Sequence, residues 1–151
     1  MNTYQNNTYM QNQVLNASPE QILLMLYDGA ILFLRQAKLA LEEDKKFVKI
    51  EKIGRAIAIL TELSNTLDFE NGGEFAENMD SLYWYMIREL TRANLNDDLA
   101  RIVAVETMLV DLRESWATAI ASNRPAAENT TNAYGGEGDA PDEVVKIYAA
   151  V

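Results

Sequence analysis

Residues 18–43 constrain this chain more than any other stretch, because they open with a strong helix-start signal and then repeat apolar residues on two opposite faces. Ser18-Pro19-Glu20-Gln21 places a hydroxyl at the N-cap, a proline at the first helical position and an amide three residues past the cap. Each satisfies or avoids an orphan N–H of the first turn. At about 100° per residue, Leu23, Leu26, Tyr27, Ala30, Leu34, Ala37 and Leu41 align in one stripe, enough to pack a core. Met25, Gly29, Leu32 and Leu39, flanked by Ile22 and Phe33, align in a second stripe on the far side. A bundle helix needs only one such stripe. The second requires a partner, elsewhere in this chain or in another one.

Three more helices follow the first, which is expected from Pro19 to Glu43. The second begins after Asp44, a candidate N-cap, and carries Ile50, Ile53, Ile57, Leu60 and Leu67 at alternating spacings of three and four, the seam of a bundle helix. Gly72-Gly73 interrupts the pattern, since paired glycines supply left-handed backbone angles that stop a helix. The third helix is expected from Glu74 to Ala93, with Phe75, Met79, Leu82, Met86, Leu90 and Ala93 inward. After a turn at Asn94-Leu95-Asn96, with Asn96 as cap, the fourth runs to about Ser122 and turns Ile102, Val105, Leu109, Leu112, Trp116 and Ile120 to one side. Short connections make sequential helices antiparallel, so the fold class is all-α: an up-down-up-down four-helix bundle. Residues 18–122 form the bundle domain. Residues 1–17, rich in Asn, Gln and Thr, read as an N-terminal arm, and residues 123–151, with Pro125, Gly135, Gly136 and Gly138, as a flexible acidic tail. The tail closes with Val144, Val145, Ile147 and Tyr148, enough for one or two helical turns.

Composition narrows the function. The 151 residues include no cysteine and no histidine, which removes thiolate chemistry, imidazole bases, histidine metal ligands and the Glu-x-x-His pairs of di-iron bundles. No catalytic constellation, metal site or cofactor is expected. A net charge of −10 argues against nucleic acid and anionic membranes as partners. The N-terminus lacks the basic and apolar regions of a signal peptide. The chain reads as soluble, acidic and non-catalytic.

Four features remain open between a structural and a binding role. Gly29 costs about 1 kcal/mol in a helix relative to alanine, so it serves a close approach, either between this chain's own helices or, as its place at the centre of the second stripe favours, by a partner or the N-terminal arm. Trp84, between Tyr83 and Tyr85, is either a half-buried surface indole or a partner-facing anchor. Lys45, Lys46, Lys49, Lys52 and Arg55 form a basic stripe, read as a solvated face, with a phosphate or acidic partner as the alternative. Glu106 lies at the seam edge, with Arg113 two turns on as its expected ion-pair partner.

The blocks NQV-x-x-ASPEQ-x-LLMLYDGAI-x-FL, E-x-GGE-x-A-x-N-x-x-x-LY-x-YM, AN-x-x-x-D and L-R-E-x-W, in this order between Tyr9 and Ala119, resemble the FliS family of flagellar secretion chaperones. The resemblance implies an antiparallel helical bundle in the bacterial cytosol. Its client would be the disordered C-terminal segment of flagellin, held back from premature polymerisation and delivered to the flagellar export apparatus. Flagellin regulators would be further partners. An N-terminal arm through Tyr9, Asn12, Gln13 and Val14 would lie over the bundle and move when client binds. The client surface would draw on the exposed side of the helix carrying Met25, Gly29, Leu32 and Phe33, together with neighbouring helices. Ile22, flanking the stripe, and Trp84, as a partner-facing anchor, complete the candidate flagellin contacts. The resemblance also implies a basic residue after Gly29-Ala30-Ile31 and an acidic one between the paired tyrosines. Leu32 and Trp84 stand there instead, making the surface more apolar, and the 123–151 tail has no counterpart. The competing reading is a self-associating structural bundle whose second stripe is a homodimer interface. The chaperone reading expects a monomer or weak homodimer.

Overall fold

The computed structural model describes residues 16–123. Four helices account for nearly all of them: α1 (Pro19–Glu42), α2 (Lys46–Asn65), α3 (Phe69–Asn96) and α4 (Leu99–Asn123). Each packs on its neighbour in the chain, and α4 closes back on α1. This is the expected up-down-up-down bundle. The arm through residue 15 and the tail from residue 124 lie outside the described residues.

Helix ends follow local chemistry. Ser18 Oγ accepts from the Gln21 N–H (3.2 Å) while Gln21 Oε1 accepts from the Ser18 N–H (3.0 Å), the reciprocal box expected at the start of α1. Asp44 does not cap α2. It takes a left-handed conformation (φ 57°) that ends α1, and α2 starts from Lys45 with no side-chain cap. Aspartate tolerates left-handed angles, so the same residue that suits an N-cap also suits a helix stop. α3 starts earlier than expected, because Asp68 accepts from the N–H groups of Glu70 (3.0 Å) and Asn71 (3.1 Å) and nucleates an extra turn. Gly73, at φ 50° and ψ −132°, then kinks α3 instead of stopping it. At its far end α3 runs through Asn96 to a left-handed Asp97. The first turn of α4 is therefore served not by Asn96 but by Asp98, whose Oδ1 accepts from the Arg101 N–H (3.3 Å).

The first stripe of α1 faces the core: Leu23, Tyr27, Ala30, Leu34 and Ala37 are buried, and Leu26 and Leu41 pack at its edge. Complete burial of one such leucine is worth about 1.5–3 kcal/mol. The α4 seam is as expected, with Leu112 only partly buried. In α3, Met79, Met86, Leu90 and Ala93 are buried and Phe75 and Leu82 partly so. Tyr83, which is not among the residues expected inward, is fully enclosed. Its hydroxyl lies 2.7 Å from that of Tyr27, which also accepts from Trp116 Nε1 at 3.1 Å. Burial pushes the Tyr27 hydroxyl up to about 12, hydrogen bonds from Tyr83 and Trp116 only partly offsetting it. Burial and the neighbouring Tyr27 raise Tyr83 as well.

In α2, Ile53 and Leu60 are buried and Ile57 partly, but Ile50 is half-exposed; Leu67, partly buried, lies past the helix end at Asn65. The inward position belongs to Lys49. Only 2% exposed, it is not part of a solvated face. Lys49 Nζ donates to the Asn94 carbonyl (2.9 Å) and to the Asp97 carboxylate, binding the end of α3, where carbonyls lack helical partners, to the start of α2. The Lys49 hydrogen bond holds the Asp97 carboxyl below the usual carboxylate range, against a smaller opposing effect of desolvation. A lowered folded pKa contributes stability above the unfolded value, and that stability disappears as pH falls through the folded one. The urea midpoint of Asp97→Asn should therefore lie below the parent's at neutral pH, and the gap should narrow as pH drops beneath about 3.9. A gap independent of pH would disprove the charge pairing.

Candidate interaction surface

With the first stripe of α1 buried, the second is turned outward. Leu32 and Leu39 are 53% and 54% exposed and Ile22 36%, with Met25 partly covered between them. Phe33 leans toward α2, where Lys52 Nζ and the Arg55 guanidinium each stand 5.7 Å from its ring centroid, within cation–π range. Gly29 also faces α2: a Cβ there would come within 3.3 Å of Ile59 Cδ1. The close approach that this glycine permits is thus made by a helix of the same chain. Gln36, one turn beyond Leu32 and Phe33, has a buried Oε1 with no hydrogen-bond partner among the described residues.

The other flank of α1 is charged. Asp28 accepts two hydrogen bonds from Arg113 (2.9 and 3.3 Å), and Arg35 Nε donates to Glu106 Oε1 (2.9 Å), with Lys38 on the second oxygen. Burial alone would push the Glu106 carboxyl up, but hydrogen bonds from Lys38 and Arg35 hold it below its usual range. Glu106 and Arg113 do not pair with each other as expected. Seven residues of helix separate them by about 10 Å of rise, whereas α1 lies alongside and offers both a nearer partner. A shallow groove of about 330 Å³, lined by Ala17, Gln21, Leu24, Met25, Asp28 and Arg113, opens where the N-terminal arm joins α1.

Ile22, Met25, Gly29, Leu32 and Phe33 therefore share the outward side of α1 and its border with α2. Trp84 does not join them. It is 43% exposed on α3, which neighbours α2 and α4 but lies diagonally across from α1. Asp80 and Asn94 of α3 bond to Ser64 and Lys49 of α2, and Trp84, one turn past Asp80, borders that side. Tyr9, Asn12, Gln13 and Val14 lie outside the described residues. Two of the most exposed apolar side chains went unnoticed in the periodicity: Phe47 (89%) and Leu95 (82%). Phe47 sits off the Ile53–Leu60 seam among lysines, and that offset was its visible signal.

The family model described as flagellar protein FliS matches residues 1–123. The chain is 43% identical over 108 residues to the flagellar secretion chaperone FliS of Salmonella typhimurium, spanning 71% of this chain and 80% of that protein. It is 38% identical over 116 residues to the flagellar secretion chaperone FliS of Bacillus subtilis (77% and 86%) and 31% over 114 residues to that of Escherichia coli (75% and 84%).

The two faces of α1 make opposite predictions for stability. Leu34→Asp places an unpaired charge in the core and should cost several kcal/mol. Gly29→Leu presses on Ile59 and should cost about 1–3 kcal/mol. Leu32→Asp, on the outward face, should stay within about 0.5 kcal/mol of the parent. Urea denaturation of the three variants checks the order, and a Leu32→Asp protein as unstable as Leu34→Asp would contradict the placement.

Proposed function

The chain belongs to the FliS family of flagellar secretion chaperones, and from that membership we propose that it holds the disordered C-terminal segment of flagellin in the cytosol. Held there, the client is kept from polymerising prematurely and is passed to the flagellar export apparatus. One observation carries the surface assignment. α1, a helix whose inner stripe is buried in the core, keeps a row of large apolar side chains, Ile22, Leu32 and Leu39, open to solvent. An exposed contiguous apolar row of this kind marks an interaction site. An amphipathic client helix lying along it would bury alternate turns of its own apolar face. Reaching Trp84 as well requires the client to continue over α2 to α3. A segment that is unfolded when free suits such a path, because it can wrap a long surface as it folds. In this reading residues 1–15, including Tyr9, Asn12, Gln13 and Val14, cover the same row in the absence of client.

The names of the relatives describe chaperones, and this reading assigns the chain no reaction. The row of Leu32 and Leu39, seven residues apart, also suits self-association. Sedimentation separates the two readings: a tight dimer unaffected by flagellin would favour the structural bundle.

Binding of a synthetic flagellin C-terminal segment should be accompanied by a gain of helix and a negative heat-capacity change. Leu32→Asp should weaken it at least about tenfold, or 1.4 kcal/mol, while leaving the melting curve of the free protein nearly unchanged. Calorimetry at several temperatures measures both. Absence of parent binding at tens of micromolar would reject the function, whereas unweakened binding by Leu32→Asp would reject only the surface.

A further inference from the structure

The exposed apolar residues of α2 are not explained by the row on α1. Phe47 is nearly as exposed as a free side chain, and Ile50, one turn along the same flank, is 47% exposed. At Gly54, the next turn on, nothing lies within 4 Å of where a Cβ would stand, so the flank stays open. Leu95 of α3 borders the same end of the bundle, since the adjacent Asn94 carbonyl holds Lys49. The charge here is also unusual. α2 is the one helix of the four with more bases than acids: Lys46, Lys52, Arg55 (paired with Glu51) and the buried Lys49 against Glu51 and Glu62. Lys45 precedes it, and no acid occupies its first turn. An apolar flank at the basic end of a helix, in a chain of net charge −10, fits an occupant that is acidic and apolar.

We propose that this occupant is the chain's own C-terminal segment, Asp142–Val151, seated across the start of α2. Its composition is complementary: Asp142 and Glu143 adjoin Val144, Val145, Ile147 and Tyr148, and residues 124–151 hold five acids against two bases. The acidic pair meets Lys45 and Lys46, competing there with Glu43 and Asp97, and the apolar residues cover Phe47 and Ile50. Reach permits it. Asn123 lies at the opposite end of the bundle from Phe47, because α4 starts beside α2, next to Asp97, and runs away from it for 25 residues, about 37 Å at 1.5 Å per residue. The intervening residues 124–141 can span roughly 60 Å when extended. Tethering gives the segment an effective concentration near the millimolar range, so a contact of modest intrinsic affinity suffices. The seat lies on α2 and does not depend on which client α1 binds.

The absence of cysteine allows a clean test on the full chain. A nitroxide attached at Ala150→Cys should broaden the amide resonances of Phe47, Val48 and Ile50 to less than half their intensity relative to the reduced label. Amides around Thr107 on α4 should keep theirs. Adding Phe47→Asp, a change at an exposed position, should restore the α2 signals. Unchanged α2 intensities, or broadening that survives Phe47→Asp, would overturn the proposal. So would equal broadening of isotopically labelled, label-free chains mixed with nitroxide-bearing ones, since the seat would then take a second copy.

Discussion

Three of the four helices meet at a buried polar contact: the Tyr27 hydroxyl against that of Tyr83, with the Trp116 indole N–H on Tyr27. Tyr27 and Tyr83 are essentially without solvent exposure, so any rotation of α1 that separated them would strand polar groups in the core. Each stranded group costs about 1–3 kcal/mol. Apolar packing tolerates alternatives more readily than this, because one leucine can replace another at similar cost. The tyrosine contact thus fixes which side of α1 is inside, and it leaves Leu32 and Leu39 outside.

From that rotation the rest of the surface follows. Asp28, Arg35 and Lys38 fall toward α4, where Arg113 and Glu106 receive them. Phe33 and Gly29 fall toward α2, beneath Lys52 and Arg55 and against Ile59. α2 is in turn locked to α3 by Lys49, a buried cation that is sustained by a carbonyl and a carboxylate together, since a buried charge without such partners would be strongly destabilising. The ridge of α1 and the Trp84 indole are therefore held at a constant separation, with α2 between them. Under the proposed function, that separation is the track of the client.

Much of this was legible in the residues. The capping box at Ser18, both stripes of α1 and most of the other seams depend on contacts within a few residues, and local spacing reports them well. What escaped depends on residues distant in the chain. Tyr83 is drawn fully inside by a hydroxyl 56 residues away, and Lys49 by a carbonyl 45 residues on. Periodicity treats a lysine as solvated and has no means of seeing that acceptor. Glycine at position 29 announced a close approach, but its place on the second stripe pointed to a partner or the arm, whereas the neighbour that comes close is Ile59 of α2. Asp44 was ambiguous for a chemical reason, since aspartate serves both at caps and in left-handed stops. Of the proposed site, the α1 residues emerged as a group from the wheel. Trp84 was a candidate as an outward-pointing indole on another helix, and the fold sets it two helices away from them.

The central claim is that the outward ridge of α1, and not another exposed face, receives the client. A photoreactive benzoylphenylalanine at Leu32, compared with one at the exposed Thr107 of α4, tests it directly in the presence of the flagellin C-terminal segment. The account predicts a strong crosslink from position 32 and little or none from 107. Equal yields at both positions, or a crosslink from 107 alone, would contradict it.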